Sequence, residues 1–392
     1  MRILFVADGR SPTAAGWIGY FTGADYEVHL VSTYPADPLP GLASFEVIPN
    51  AFAPLSGAST GGSDNRLRRM TAPGLRTAVL RLLSAWSLAR RSRVLNETIR
   101  RVAPDLVHAL RIPFEGMLAA AALAGPPDLA MRSVPLVLSV WGNDFTLHAR
   151  AGKRMAEGTR AALHRADAVI ADCARDIRLA HQWGFPDPAP TIVLPGGGGV
   201  RAEIFFPGEP LADQPLQVVQ PRGVRAYVEN VAFLRAVPTV LEKHPEIRFV
   251  CPGLAGSGPL TALAAHLGID RAVDLLPAIS QDELATLFRR SHIVLSPTTH
   301  DGTPNSLLEA LACGCFPVAG DLDSIREWIT PGENGLLVDA ASPESIAHGL
   351  LAAIEDDALR ERARVFNLKR VSERALYENV MPQAAAFYTG LI

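Results

Sequence analysis

The chain of 392 residues is longer than one hydrophobic core comfortably organises and suits two domains of ordinary size. Apolar residues at 48% and charged residues at 20% give a globular composition and exclude a disordered or fibrous chain. The net charge of −3 argues against general affinity for nucleic acid, and no apolar run reaches the roughly 18 residues that span a bilayer.

In chain order, MRILFVADGR passes straight from a short apolar run into polar residues, so it reads as a first strand and not as a signal peptide. YEVHLVS, DLVHAL, PLVLSV and DAVIAD continue the series, separated by stretches of helical length, which is the alternation expected of βαβ units. Residues 54–65, PLSGASTGGSDN, read as a flexible insertion, and an amphipathic helix is expected from about 74 to 103 with Leu75, Val79, Leu82, Leu83, Trp86, Leu95 and Ile99 on its apolar face. Between Arg66 and Arg101 stand ten arginines and a single acid, Glu97. They form either a solvated helix face or a basic surface resting on an anionic membrane and presenting a lipid-linked acceptor. The Ala-rich run 117–124 is closed by Gly125-Pro126-Pro127. PGGGGVRAEIFFPGEPLADQP, 195–215, is the best linker candidate. The strand rhythm then restarts with LQVVQ, IRFVCPG, AVDLL, HIVLS and CFPVAG, and 373–392 looks like a helical pair broken at Pro382. The expected class is α/β, with two Rossmann-like doubly wound parallel sheets facing a central cleft. The first domain covers 1–200 and is joined by the C-terminal 373–392; the second covers 201–372.

Cys173, Cys251, Cys313 and Cys315 form no CxxC pair and no zinc spacing, and read as buried thiols in a reducing cytoplasm. Lysine occurs only at Lys153, Lys243 and Lys369, none behind a phosphate-cradling glycine loop and none with a claim to a pyridoxal phosphate Schiff base. No cofactor is expected.

DGTPNSLLEALACGCFPV, 301–318, carries the chemistry. Thr303 can cap a helix and Pro304 suits its first position, so the helix is expected to start as the chain leaves the strand HIVLS. Its N–H groups and dipole at the carboxyl edge of a parallel sheet make an anion site suited to a diphosphate. Glu309 lies six residues on, about 9 Å along the axis, the distance at which a carboxylate meets both hydroxyls of a ribose. Asp301 stands where a donor sugar would sit. The plainer alternative leaves Asp301 in a loop and Glu309 complementing the helix dipole.

This segment, together with NGLLVDAASPESIA (334–347), closely resembles the donor-binding domain of retaining glycosyltransferase family four, which has the GT-B fold. The family carries two acids eight positions apart, usually both Glu; here they are Asp301 and Glu309. The resemblance implies that Glu309 holds the ribose, Asp301 the sugar, and the backbone from Gly302 and Thr303 through Pro304, Asn305 and Ser306 the diphosphate. It also implies an Arg and a Lys after the first strand of the second domain. In VVQPRGVRAYVEN Arg222 matches the arginine, and Arg225 is the nearest substitute for the absent lysine, unless each merely covers a helix end. LLPAISQDELATLF (275–288) resembles the base pocket, with backbone groups near Leu276 reading the base. In the first half, Ser11–Trp17 stand where the family has a glycine loop, with Gly16 as its glycine. His108 resembles a histidine facing the cleft, though a strand-end histidine is as often structural. In SVWGNDF, Trp141 replaces the family histidine, while Trp141, Asn143 and Asp144 are acceptor-side candidates.

The implied activity is metal-independent, retaining transfer of a sugar from a nucleotide diphosphate donor, with UDP the commonest in the family, to a sugar, lipid-linked or small-molecule acceptor. Asp301, Glu309, Arg222 and His108 form the implied catalytic set. The expected location is the cytoplasm, free or resting on the inner membrane face. A sugar nucleotide epimerase and a non-catalytic nucleotide-sugar binder are the competing readings.

Overall fold

A computed structural model describes residues 1–49, 73–124, 134–209, 211 and 214–392, with backbone alone for 73–87. The insertion 54–65, the start of the basic stretch 66–101 and the side chains of Leu75 to Trp86 lie outside the described residues. Contacts divide the chain into two units: Met1–Ala171 with Ile177–Ile192 and Ala385–Ile392, and Asp172–Asp176 with Val193–Ala384.

The first unit is built on a seven-stranded sheet of β1 (Arg2–Ala7), β2 (Glu27–Ser32), β3 (Ser44–Val47), β4 (Leu106–Leu110), β5 (Leu136–Val140), β6 (Ala168–Ala171) and β7 (Thr191–Val193), in the order β3-β2-β1-β4-β5-β6-β7. Every residue of β4 and β5 is buried, which is why both read as apolar runs, interrupted only by His108 and Ser139, and not as alternating ones. Leu4, Val6, Val107 and Leu138 pack with Leu95 and Ile99 of the helix Pro73–Val102 and with Leu118 and Leu163. The last two members of the expected apolar face, Leu95 and Ile99, are thus in the core.

The second unit holds six strands: β8 (Gln217–Val219), β9 (Arg248–Pro252), β10 (Val273–Leu276), β11 (Ile293–Ser296), β12 (Phe316–Gly320) and β13 (Leu336–Val338), ordered β10-β9-β8-β11-β12-β13 with parallel pairing. Phe233, Phe249 and Leu350 pack in one hydrophobic cluster, and Leu307, Leu311, Phe288 and Trp328 in another. Both sheets are therefore parallel α/β sheets of the Rossmann kind. Strand order reverses at β1/β4 in the first and at β8/β11 in the second, and in such sheets the crevice outside the carboxyl ends of those two strands is where ligands bind.

The glycines of 196–199 serve close packing. Gly197, Gly198 and Gly199 have φ of 68°, 89° and 92°, and a Cβ on Gly199 would stand 2.1 Å from the Ala375 carbonyl oxygen. Val200 bridges to the chain around Leu376, its amide donating to Ala375 at 2.7 Å and its carbonyl accepting from Tyr377 at 2.8 Å. The C-terminal pair corrects the sequence reading. The break falls at that bridge, after the helix Asp357–Arg374, and a single helix, Tyr377–Thr389, runs through Pro382. A proline inside a helix forfeits one backbone bond, which tertiary packing offsets here through buried Val380, Met381 and Tyr388. No described helix is long and apolar enough to cross a membrane.

Candidate functional site

At the carboxyl end of β8 the chain turns sharply. The buried Gln220 accepts the Arg222 amide at 2.7 Å and donates to Asn230, which in turn donates to the Gly223 carbonyl at 3.0 Å. Gly223 takes φ of +63°, a conformation that favours glycine. This fixed turn delivers Arg222 to the neighbouring loop after β11. There its guanidinium pairs with the Asp301 carboxylate and donates to Ser306 Oγ at 3.3 Å. Among the described residues Arg222 Nε is buried without a hydrogen-bond partner, so one N–H of the guanidinium is uncommitted. Arg225 is exposed and donates to the Arg222 carbonyl at 3.3 Å.

The helix that follows is Asn305–Ala312, with Pro304 as its N-cap. The expectation that Thr303 caps it is corrected. Its hydroxyl instead donates to the Asp172 carbonyl at 2.7 Å and accepts the Trp328 indole N–H at 3.0 Å, so it anchors the loop from beneath. Pro304 carries no N–H, and the first amides at the helix start are those of Asn305 and Ser306. Gly302 is required by its neighbour, since a Cβ there would lie 2.2 Å from Asp172 Oδ1. Glu309 sits about 6 Å along the axis from Asn305, just over one turn in.

Burial pushes the Asp301 carboxyl up, and Arg222, the Gly302 amide, Arg175 and Arg225 hold it down. Burial pushes Glu309 up to about 7, with Arg222 opposing. Arg222 thus answers to both acids, and a carboxylate titrating near neutrality beside a cation is the kind of group found at functional sites. Leu276, at the end of β10, already holds the Leu254 and Ala255 amides on its carbonyl at 3.1 and 2.9 Å. The Asp172, Cys173 and Asp176 ligand atoms lie within 4.8 Å of one another. Asp176 is engaged by both forks of Arg175, and burial drives the Cys173 thiol far up, so the cluster offers a cation neither a thiolate nor an uncommitted Asp176.

The first unit is different. His108 is fully buried between the Tyr388 hydroxyl at Nδ1 and Ser139 Oγ, 2.9 Å from Nε2, with the Trp17 ring against it. Desolvation lowers it to about 3, so it is neutral, and both its ring nitrogens are engaged within the chain. Asp144, also buried, accepts Arg111 Nε at 3.1 Å and the amides of Ile112 at 3.1 Å and Trp141 at 3.2 Å. These bonds tie together the loops after β4 and β5. Asn143 accepts Arg111 Nη2 at 3.2 Å, and the Arg111 guanidinium lies 6.0 Å from the Trp141 ring. Gly16 lies within the helix Pro12–Thr22, capped by Ser11, and not in a loop. The glycine of the β1 loop is Gly9, where a Cβ would meet Ser32 Oγ at 2.9 Å.

Sequence reasoning missed Gly9, which DGR directly after a strand could have flagged. It also missed Arg111 with φ of +128°, and Glu115, a buried acid accepting Thr33 Oγ1 at 2.5 Å. Arg175 and Ser324, which reach the Asp301 main chain, left no local signal either.

The chain matches the family described as glycosyl transferases group 1 over residues 210–368 and the glycosyl transferase 4-like domain over residues 11–197. It is similar to a D-inositol 3-phosphate glycosyltransferase of Corynebacterium urealyticum, 30% identical over 166 residues, covering 40% of this chain and 39% of that relative. The chain spans about half or less of the curated relatives it matches. Among solved structures it is similar to sucrose-phosphate synthase from Thermosynechococcus elongatus, with a TM-score of 0.74 at 14% identity over 100% of this chain and 99% of that one. It is also similar to Anabaena HepE in complex with UDP and glucose, with a TM-score of 0.71 at 17% identity and 100% of both chains covered. At such identities the likeness shows the fold, which is GT-B.

Proposed function

The chain belongs to the glycosyl transferases group 1 family, and we propose that it transfers a sugar from a nucleoside diphosphate donor to an acceptor hydroxyl, with retention of configuration and without a metal. One observation carries this reading: at the β8/β11 reversal, Arg222, Asp301, Ser306 and Glu309 converge on the start of a helix. In the proposed mechanism the amides of Asn305 and Ser306, the Ser306 hydroxyl and Arg222 take the diphosphate, with Arg225 adding charge at the exposed side. These donors meet negative charge as it grows on the leaving group, and they are already oriented by the β8 turn and the helix start. Glu309, as a carboxylate, accepts from the ribose hydroxyls, and Asp301 accepts from the sugar. The base is proposed to be uracil, supported by the UDP named for the Anabaena structure, and to lie near Leu276. Retention follows from front-face attack in which the departing diphosphate helps deprotonate the acceptor.

Trp141 and Asn143, neither of them fully buried, are proposed on the acceptor side; the acceptor is a sugar, lipid-linked or small-molecule hydroxyl. The arginines of 90–101 are proposed to favour an anionic membrane surface. Equal sedimentation with anionic and neutral vesicles would remove that part alone.

A thermal-shift screen of nucleoside diphosphates and their sugars tests the donor assignment, since a ligand bound only by the folded chain raises its melting temperature. Stabilisation by one base family, lost in Arg222→Ala, is the expected result. Incubation with the stabilising nucleotide sugar without acceptor then separates transfer from epimerisation, which needs no acceptor. Sugar isomerisation in that tube would replace the transferase reading.

A further inference from the structure

Asp301 lies in a loop without regular structure between β11 and the helix at Asn305, yet its carbonyl is held from two sides. Its carbonyl oxygen accepts two hydrogen bonds, from Arg175 Nη1 at 2.7 Å and from Ser324 Oγ at 2.8 Å. Arg175 Nη1 also donates to Ser324 Oγ at 3.1 Å, which closes a triangle behind the carbonyl. Arg175 is itself locked. Its Nε and Nη2 donate to the two oxygens of the buried Asp176 at 2.9 and 3.1 Å. The Glu327 carboxylate in turn accepts the amides of Ala174 and Arg175 at 2.8 and 2.9 Å.

The same short segment serves the next two residues of the loop. Asp172 presses its carboxylate against Gly302 and accepts the Thr303 hydroxyl on its carbonyl. Residues 301, 302 and 303 are thus each contacted by 172–175, and 172–176 counts with the second unit, though it is absent from the two hydrophobic clusters described there. A buried ion pair is an expensive way to fill space, since apolar side chains of similar volume often serve stability as well. What a guanidinium adds is direction: a planar fork that grips Asp176 on one edge and aims its remaining nitrogen at one carbonyl.

We infer that Arg175, with Ser324, is a positioning residue that sets the Asp301 carboxylate at the height and angle a donor sugar requires, while taking no part in holding the nucleotide. This rests on the donor-site reading above, in which the diphosphate and ribose are held by Arg222, the helix start and Glu309. The clamp compensates for the shorter first acid. An Asp side chain has one torsion fewer than Glu with which to adjust, so its reach depends on where its main chain stands.

The test uses the full chain in two variants. Ser324→Ala removes one donor to the carbonyl with minimal change of volume. Arg175→Met/Asp176→Leu removes the buried pair together, so that neither charge is left alone. Isothermal titration compares the best-binding nucleoside diphosphate among UDP, GDP and ADP with its glucose, N-acetylglucosamine and mannose conjugates. The inference expects the affinity for the nucleoside diphosphate to stay within about twofold of wild type in both variants. Affinity for the preferred conjugate should fall about threefold in Ser324→Ala and about tenfold in the double variant, the loss expected for hydrogen bonds to a charged donor. Equal weakening toward nucleotide and conjugate, or no weakening toward either, overturns it. Should the double variant fail to fold, Ser324→Ala decides alone by the same criterion. A wild-type chain that binds none of the nucleotides overturns the donor reading itself and the clamp with it.

Discussion

The two sheets share their strand order through six strands and reverse at equivalent places, and burial raises the acids at both carboxyl edges, yet the edges differ in the hydrogen-bonding groups they leave uncommitted. At the second, Arg222 keeps a buried N–H without a partner among the described residues, Arg225 is exposed, and a helix presents its amides. At the first, His108, Glu115 and Asp144 are all buried, and desolvation pushes each toward its neutral form, with Arg111 restraining the two acids. Among the described residues the second edge leaves donors uncommitted, the Arg222 Nε–H and the helix amides, whereas the first leaves an acceptor, Glu115 Oε2, and ties its other polar groups into its own loops. Topology alone therefore does not nominate the edge that takes an anion, and the uncommitted donors at the second edge do.

The sharpest way to break that contrast is to truncate matching groups on both edges. Glu309→Ala and Arg222→Ala should each lower kcat/KM for transfer by about a hundredfold or more, as expected when a preorganised group at developing charge or a substrate anchor is lost, without unfolding the chain. Near-normal turnover in both would end the assignment. His108→Gln should do the reverse, costing about 1–3 kcal/mol of stability through a disturbed buried network while the folded protein keeps its turnover. Denaturant titration alongside kinetics reads both. A turnover loss in stable His108→Gln would place that residue in the catalytic set.

Asp301→Asn gives an effect of opposite signs. The carboxylate competes for the guanidinium that the diphosphate needs, so its neutralisation should tighten binding of the nucleoside diphosphate about threefold to tenfold while transfer falls. Weaker nucleotide binding would mean that Arg222 is not shared between them.

Two pH effects are smaller and run in distinct windows. Glu309 must be ionised to accept from a ribose, and its folded value is raised to about 7. Binding of a nucleotide sugar, whose diphosphate diester does not titrate there, should weaken up to about tenfold from pH 8 to pH 6, and Glu309→Gln should abolish the dependence. His108 is lowered to about 3 from an ordinary value of 6.5, so the unfolded state binds the additional proton. Its contribution to stability is complete above pH 6.5 and is lost as pH falls toward 3. A pH-stability profile unchanged by His108→Gln would contradict its buried, neutral state.

Much of this was legible in the amino-acid order. The strand rhythm anticipated both parallel sheets, and the spacing of Asp301, Pro304 and Glu309 located the helix start to within a residue. The misses share a cause. Thr303 has the chemistry of a cap, but Asp172, 131 positions away, takes its hydroxyl. Gly16 resembled a loop glycine because Ser11 and Pro12 mark a helix start without stating that the helix continues through position 16. His108 sits at a strand end that could face solvent, and only Trp17 and Tyr388 closing over it show that it does not. Arg175 carries no motif, since its meaning lies wholly in the carbonyl it reaches. Local signals specify elements, whereas the partner of a polar side chain is set by tertiary contacts that spacing does not encode.

The most direct measurement is a crystal structure of the chain with the nucleoside diphosphate that stabilises it most. The account predicts the pyrophosphate within hydrogen-bond distance of the Ser306 amide and the Arg222 guanidinium, with Glu309 on the ribose hydroxyls. A nucleotide bound at any other edge of either sheet, with Arg222 still closed on Asp301, would contradict it.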